Sequence, residues 1–283
     1  MKNAMQLKAV VKRISKEKNI SAQLVLQNYM LERLLERISL SDYKQNFILK
    51  GGFLIAAIVG LDTRATMDMD LTLKGMPLNE KSIFRMFDEI TGIELNDDIT
   101  FELKNISEIR EGDEYTGYKI ALSGNYPPME VPLKIDITTG DVITPKEIEF
   151  EYEVMLEDKR IPILAYNIET ILAEKLETVV SRGDQNTRPR DFYDIYILKK
   201  LRGKNIDYDK LRIATEETAK KRGTWAILNS YKEIIKDCEL SEDMEDQWKK
   251  YQSSFEYARD IEFKQTCDAV VELMERILPS SKV

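Results

Sequence analysis

Histidine is absent from all 283 residues. That excludes Ser-His-Asp and Cys-His hydrolases and histidine-rich metal sites, so any chemistry must rest on carboxylates, lysine, arginine, tyrosine or a bound ion. Cysteine is scarce: Cys238 and Cys267 lie in helix-like sequence without CxxC spacing, which argues against a disulfide framework or a cysteine zinc site. No apolar run approaches the roughly 20 residues that span a bilayer. The segment MKNAMQLKAVVKR also lacks the continuous apolar stretch of a secretory signal. Positive charge is in deficit, with a formal net charge of −8, so a nucleic acid partner would need a local basic patch. The only such footholds are Arg182, Arg188 and Arg190, and Lys220-Lys221-Arg222, which solvated surface charge explains equally well. The expectation is a cytoplasmic monomer with no membrane association.

Against those absences stands an ordinary globular composition, 43% hydrophobic and 33% charged. The length suits two lobes, since single cores stop growing at roughly 250 to 300 residues. Residues 5 to 39 read as two helices, the second capped by Ser21 and carrying Leu24, Leu31, Leu34, Leu35 and Ile38. From Phe47 the pattern changes to strand (Phe47 to Leu49), buried helix (Phe53 to Val59) and strand (Met67 to Leu73). Further strands are expected over Ile99 to Leu103, Tyr118 to Leu122, Leu133 to Ile137 and Glu149 to Met155. From Asn167 onward the sequence is helical. The expected division is N-terminal helices over 1–45, an α+β core over 46–160 and a helical region over 161–283, packed together because no low-complexity linker separates them.

The chemistry centres on Asp68-Met69-Asp70. Residues two apart on a strand share a face, so both carboxylates point one way while Met69 and Leu71 point into the core. Like charges that close repel, and a divalent cation between them is a relief. Taken alone, such a pair is more often a solvated edge-strand face. Its surroundings add weight. Lys50-Gly51-Gly52 closes one strand and opens a helix, placing bare N–H groups at a positive helix terminus suited to phosphate, although a tight turn alone also needs glycine. A third carboxylate comes from Lys134-Ile135-Asp136-Ile137-Thr138: with Leu133, Ile135 and Ile137 inward, Asp136 faces the other side, where a neighbouring strand would set it beside the acidic pair. Three such carboxylates can clamp two magnesium ions. Asp141, after Gly140, reads as a turn residue that could touch the site.

A second anomaly lies in the helix starting after Asn167. Ile168, Ile171, Leu172, Leu176 and Val179 form one apolar stripe, and Lys175 falls in the middle of it. Such a lysine must snorkel outward or find an anion, either a carboxylate or a ligand phosphate. In the next helix Asp191 and Asp194, three apart, share a face with Ile195, Leu198 and Leu201. An acidic first turn would explain Asp191 alone. Together the two helices suggest a shared polar site.

In order along the chain, NISAQLVLQNYMLERLLERIS, FILKGG, RATMDMDL, KIDITTGD, NIETILAEKLETVVSR and RPRDFYDIY resemble the AbiEii/AbiGii toxin family of nucleotidyltransferases, the toxin half of bacterial abortive-infection and toxin–antitoxin pairs. The resemblance covers about Ile20 to Leu201. It implies an α+β fold: a DNA-polymerase-β-like core of short mixed sheet and helices, with N-terminal helices and a helical C-terminal lobe. It further implies that Asp68 and Asp70 bind Mg2+ or Mn2+, with Asp136 as third ligand. Lys50, Gly51, Gly52, Arg64, Thr66 and Arg182 would bind nucleotide, Lys175 would engage it, and Asp191 or Asp194 would complete the site. Phe53 stands where many nucleotidyltransferases carry serine or threonine. The implied activity is transfer of a nucleotide from a nucleoside triphosphate to an acceptor hydroxyl, the tRNA 3′ end, causing growth arrest in abortive phage infection. A cognate antitoxin, which need not touch the toxin, would neutralise it. A small-molecule nucleotidyltransferase of the antibiotic-modifying kind and a non-enzymatic nucleotide-binding module are the alternatives.

Overall fold

A computed structural model describes residues 4–109 and 117–278. The chain divides into two compact units, one of Met1–Asp141 with Ile148–Ala165 and one of Val142–Glu147 with Tyr166–Val283. No helix among the described residues is long and apolar enough to cross a membrane.

The first unit opens with α1 (Ala4–Glu17) and α2 (Ala22–Leu40), followed by β1 (Phe47–Lys50), α3 (Gly51–Val59), β2 (Asp68–Leu73) and α4 (Glu80–Thr91). Then come β3 (Thr100–Glu108), β4 (Gly117–Tyr126), β5 (Met129–Thr138), β6 (Ile148–Glu153) and β7 (Arg160–Ala165). The strands form one mixed sheet of order β3-β4-β5-β2-β1-β7-β6. β1 is antiparallel to β2 and parallel to β7, β2 is parallel to β5, and β3, β4 and β5 form an antiparallel meander. Strict alternation drives this: β5 buries Met129, Val131, Leu133, Ile135 and Ile137 and turns the residues between them outward.

Two elements go beyond the sequence expectations. α4 has a clear amphipathic pattern in Ile83, Met86, Phe87 and Ile90, with Asn79 accepting from the Ser82 N–H at 2.9 Å as its cap. β7 contains Pro162, a residue that ordinarily argues against an inner strand. It is tolerated because β1 pairs only with Leu164 and Ala165, leaving Pro162 to face β6 alone.

α2 holds the sheet through polar groups that are themselves buried. The Ser21 hydroxyl accepts from the Leu24 N–H at 3.1 Å and starts the helix. Gln27 donates to the Met67 and Pro132 carbonyls, each at 3.1 Å, and Asn28 to the Thr66 carbonyl at 2.7 Å, so α2 ties down the entrance of β2 and its neighbour β5. Arg37 makes a fork with Asp97, both bonds 3.0 Å, and also donates to the Ile93 and Ile99 carbonyls. Such complete pairing is what a buried guanidinium requires. Glu32 accepts from the Tyr152 hydroxyl at 3.2 Å and from the Met155 N–H, anchoring the β6–β7 turn.

The second unit is helical: α5 (Ile168–Arg182), α6 (Pro189–Arg202), α7 (Tyr208–Lys221), α8 (Trp225–Leu228), α9 (Tyr231–Leu240), α10 (Glu242–Ser254) and α11 (Phe263–Ile277). Asn167 accepts from the Thr170 N–H at 2.8 Å as cap of α5, and its amide donates to the Thr144 and Lys146 carbonyls, binding the 142–147 segment to this unit. On α5 the buried Glu177 pairs with Arg222 and accepts from the Thr224 hydroxyl at 2.8 Å. Phe192, Trp248 and Phe263 pack edge-on or tilted among α6, α10 and α11.

Burial raises the Glu32 carboxyl from 4.5 to about 8, only partly countered by the Met155 N–H and Arg33. Glu32 therefore holds its proton more tightly folded than unfolded, and its contribution to stability declines as pH rises from 4.5 towards 8. Thermal unfolding of the wild type should lose ground between about pH 5 and pH 8 relative to Glu32→Gln, whose side chain does not titrate. Parallel profiles for the two proteins would show that Glu32 does not titrate there.

Candidate active site

β2 presents Asp68 and Asp70 on one face, half-buried, with Met69 and Leu71 fully buried behind them. The parallel pairing of β2 with β5 sets Asp70 directly opposite Asp136 and Asp68 opposite Lys134. The third carboxylate thus lies where the sequence places it. Burial raises the Asp136 carboxyl above its ordinary value, and Asp70 and Asp68 push it further, against Lys119 and Lys134. Lys119 is its direct partner on β4.

The glycine turn closes on the same face. Gly51 has φ +64°, and a Cβ there would sit 2.0 Å from Asp70 Oδ2, so no other residue fits. The Gly52 N–H donates to Asp70 Oδ2 at 3.3 Å. A Cβ on Gly52 would meet Thr66 Oγ1 at 3.0 Å and an Arg64 terminal nitrogen at 3.2 Å, which puts both side chains against the turn. Arg64 is buried and donates to the Ala65 carbonyl, while the Thr66 hydroxyl donates to the Asp68 carbonyl at 3.3 Å. Phe53 is core: its ring stacks on Tyr152 at 5.3 Å, leaving no hydroxyl at that position.

Lys50 turns to Asp141. Its Nζ lies 2.7 Å from Asp141 Oδ2 and 2.6 Å from Thr138 Oγ1. Asp141 is thus no mere turn residue, and the sequence reading underweighted it. The signal was available: Thr72 and Thr138 continue the outward faces of the two acidic strands, and Asp141 follows three residues later.

In the helical unit, Lys175 finds its anions. Its Nζ is 2.5 Å from Asp191 and 3.1 Å from Asp194, with the three side chains 18%, 4% and 0% exposed. Leu201, expected on the apolar face of α6, is instead exposed in its last turn, while Ile195 and Leu198 are buried. Arg182 is the half-buried last residue of α5, two turns beyond Lys175. Arg188 and Arg190 are exposed.

Among the described residues, no three Cys, Asp or Glu side chains stand already gathered as a metal-holding group. The donor chemistry of Asp68, Asp70 and Asp136 nevertheless fits a hard divalent cation: three carboxylates on one face, one of them with a proton affinity raised by burial and then by the other two.

The family model that matches this chain makes it a nucleotidyltransferase, and its mixed sheet carries an acidic face beside a Gly-Gly turn. More narrowly, it belongs to the nucleotidyl transferase AbiEii toxin family of type IV toxin–antitoxin systems, whose family model matches residues 33–272. The match extends past Leu201 into α11, so the C-terminal helices are part of the family's own architecture. Membership implies a nucleotide substrate and an antitoxin partner. Among solved structures, a candidate nucleotidyltransferase from H. pylori is similar in fold at 15% identity, covering 91% of this chain and 96% of that one, with a TM-score of 0.50. JHP933 from Helicobacter pylori is also 15% identical, over 91% of this chain and 92% of that one, with a TM-score of 0.48. No curated protein matches the sequence.

Gly51→Ala tests the turn. The left-handed backbone alone penalises alanine by about 1 kcal/mol, and the new methyl would displace the Asp70 carboxylate. The expected result is a lower unfolding temperature together with loss of activity; an unchanged melting curve would show that the turn relaxes freely.

Proposed function

We propose that the protein transfers a nucleotide from a nucleoside triphosphate to an acceptor hydroxyl, with pyrophosphate leaving, and that the acceptor is the 3′ end of tRNA. The observation that carries this reading is the register of β2 and β5, which sets Asp70 beside Asp136, with Asp70 itself against the Gly51-Gly52 turn. Asp68, Asp70 and Asp136 would hold Mg2+, or Mn2+ in its place; when bound, the ion supplies charge neutralisation for the triphosphate and the departing pyrophosphate. Around them Lys50, Gly51, Gly52, Arg64 and Thr66 bind the nucleotide: the glycines permit close approach, and Arg64 offers a planar fork of donors.

In the helical unit Lys175 engages the nucleotide. Asp191 and Asp194 hold its ammonium in one place. Arg182 is a further nucleotide-binding residue. Positioning and charge stabilisation provide the rate. In the cell the activity would arrest growth in defence against phage, with a cognate antitoxin as the control, in the cytoplasm and by a monomer.

The test is incubation of the purified protein with each labelled triphosphate, total tRNA and Mg2+. Label should enter tRNA with at least one triphosphate, and Asp70→Ala and Lys175→Ala should each lower the rate by about 10²-fold or more. No incorporation by a folded wild type would remove tRNA as acceptor. Growth arrest undiminished in Asp70→Ala would remove catalysis as its cause.

A further inference from the structure

Thr72, Thr138 and Asp141 gather around the Lys50 ammonium, and the proposed reaction gives these three no role of their own. Strand register brings them together: Lys50 on β1 is the direct partner of Asp70, and Thr72 on β2 is the direct partner of Thr138 on β5. One oxygen, Asp141 Oδ2, accepts from Thr72 Oγ1 at 2.5 Å, from Thr138 Oγ1 at 2.7 Å and from Lys50 Nζ at 2.7 Å. Lys50 donates in addition to Thr138 Oγ1 at 2.6 Å. The lysine and aspartate side chains are 12% and 4% exposed. Burial alone would raise the Asp141 carboxyl, but the Lys50 ammonium and the two hydroxyls hold it below its ordinary value.

A buried ion pair is a weak source of net stability, because desolvation offsets much of the attraction. What such a pair does well is hold geometry, and here the geometry is that of the glycine turn. Lys50 immediately precedes Gly51, whose backbone is left-handed, and Gly52 follows with its N–H on Asp70. A side chain clamped at Lys50 restricts the backbone from which that turn departs.

We propose that Asp141 is a positioning residue: secured by Thr72 and Thr138, it clamps the Lys50 ammonium and thereby sets the Lys50-Gly51-Gly52 turn against Asp70. The inference rests on the reading of this face as the nucleotidyl-transfer site. Asp141 itself touches no substrate; it acts through Lys50 and the backbone that follows.

Asp141→Asn keeps the size and an accepting oxygen but removes the charge. With labelled triphosphate and tRNA, kcat should fall by roughly 10²-fold, the scale of a small misplacement, with a much smaller change in the KM for triphosphate. Lys50→Met should lose a similar factor. The double variant should be no slower than Lys50→Met, since without the lysine the aspartate has nothing to hold. A wild-type kcat in Asp141→Asn, or losses that multiply in the double variant, would overturn the proposal. Thermal unfolding of each variant is recorded alongside. If Asp141→Asn is unfolded at the assay temperature, Thr138→Val replaces it, removing one hydroxyl of the clamp while keeping the charge pair; here too a lowered kcat supports the clamp and an unchanged one overturns it.

Competitive acylation of the lysines gives a readout independent of activity. Lys50 should react more slowly than exposed lysines in the wild type and several-fold faster in Asp141→Asn. If the wild type transfers no nucleotide, the functional reading fails while labelling still judges the clamp: an unchanged Lys50 reactivity in Asp141→Asn would overturn it.

Discussion

Asp70 and Asp136 are held side by side across two parallel strands, two like charges in register on a half-buried face. Left to themselves they would separate. They cannot, because the residues between them on each strand, Met69 and Leu71 on β2 and Ile135 and Ile137 on β5, are fully buried. A slip of one residue would turn the carboxylates into the core and the apolar side chains out. The core therefore enforces the repulsion, which adds to burial in raising the proton affinity of Asp136. The surrounding groups temper it: Lys119 and Lys134 flank Asp136, and the Gly52 N–H takes one oxygen of Asp70.

Four cations with little exposure show the opposite arrangement, each enclosed by carboxylates, hydroxyls or carbonyls. Lys50 meets Asp141 and Thr138, Lys175 meets Asp191 and Asp194, Arg37 meets Asp97, and Arg222 meets Glu177 and Thr178. Each removes the penalty of an unpaired buried charge. Each also specifies a rotamer, since a lysine or arginine gripped by two or three partners has one conformation in place of many. In the proposed reaction Lys50 and Lys175 would use that preorganisation at the phosphates.

Some of this was legible in the chain. The period-two face of β2 follows from Asp68-Met69-Asp70-Leu71 alone, and the caps at Ser21 and Asn167 are local events, each accepting from an N–H three residues on. Lys175 was conspicuous because it interrupts an apolar stripe, and a buried ammonium must have a partner. Asp191 and Asp194 were recognisable as that partner because they interrupt the next helix in the same way. Leu201 misled: apolar spacing assigned it to the core, yet it lies one residue from the end of α6 and its side chain is exposed. β7 was hidden by Pro162, whose usual meaning is overridden when only two residues of the strand pair with the inner neighbour.

By itself, then, the sequence determined which residues share a face: the acidic pair, the row of Asp136 and Thr138, the glycine turn and the lysine stripe. These are short-range matters of helical and strand period. Tertiary structure alone decided the register in which those rows meet. That Asp70 stands opposite Asp136, and that Lys50 turns to Asp141 ninety-one residues away, depends on the order and register of strands far apart in the chain. Long-range pairing is selected by how the buried faces pack together, and no local pattern encodes it.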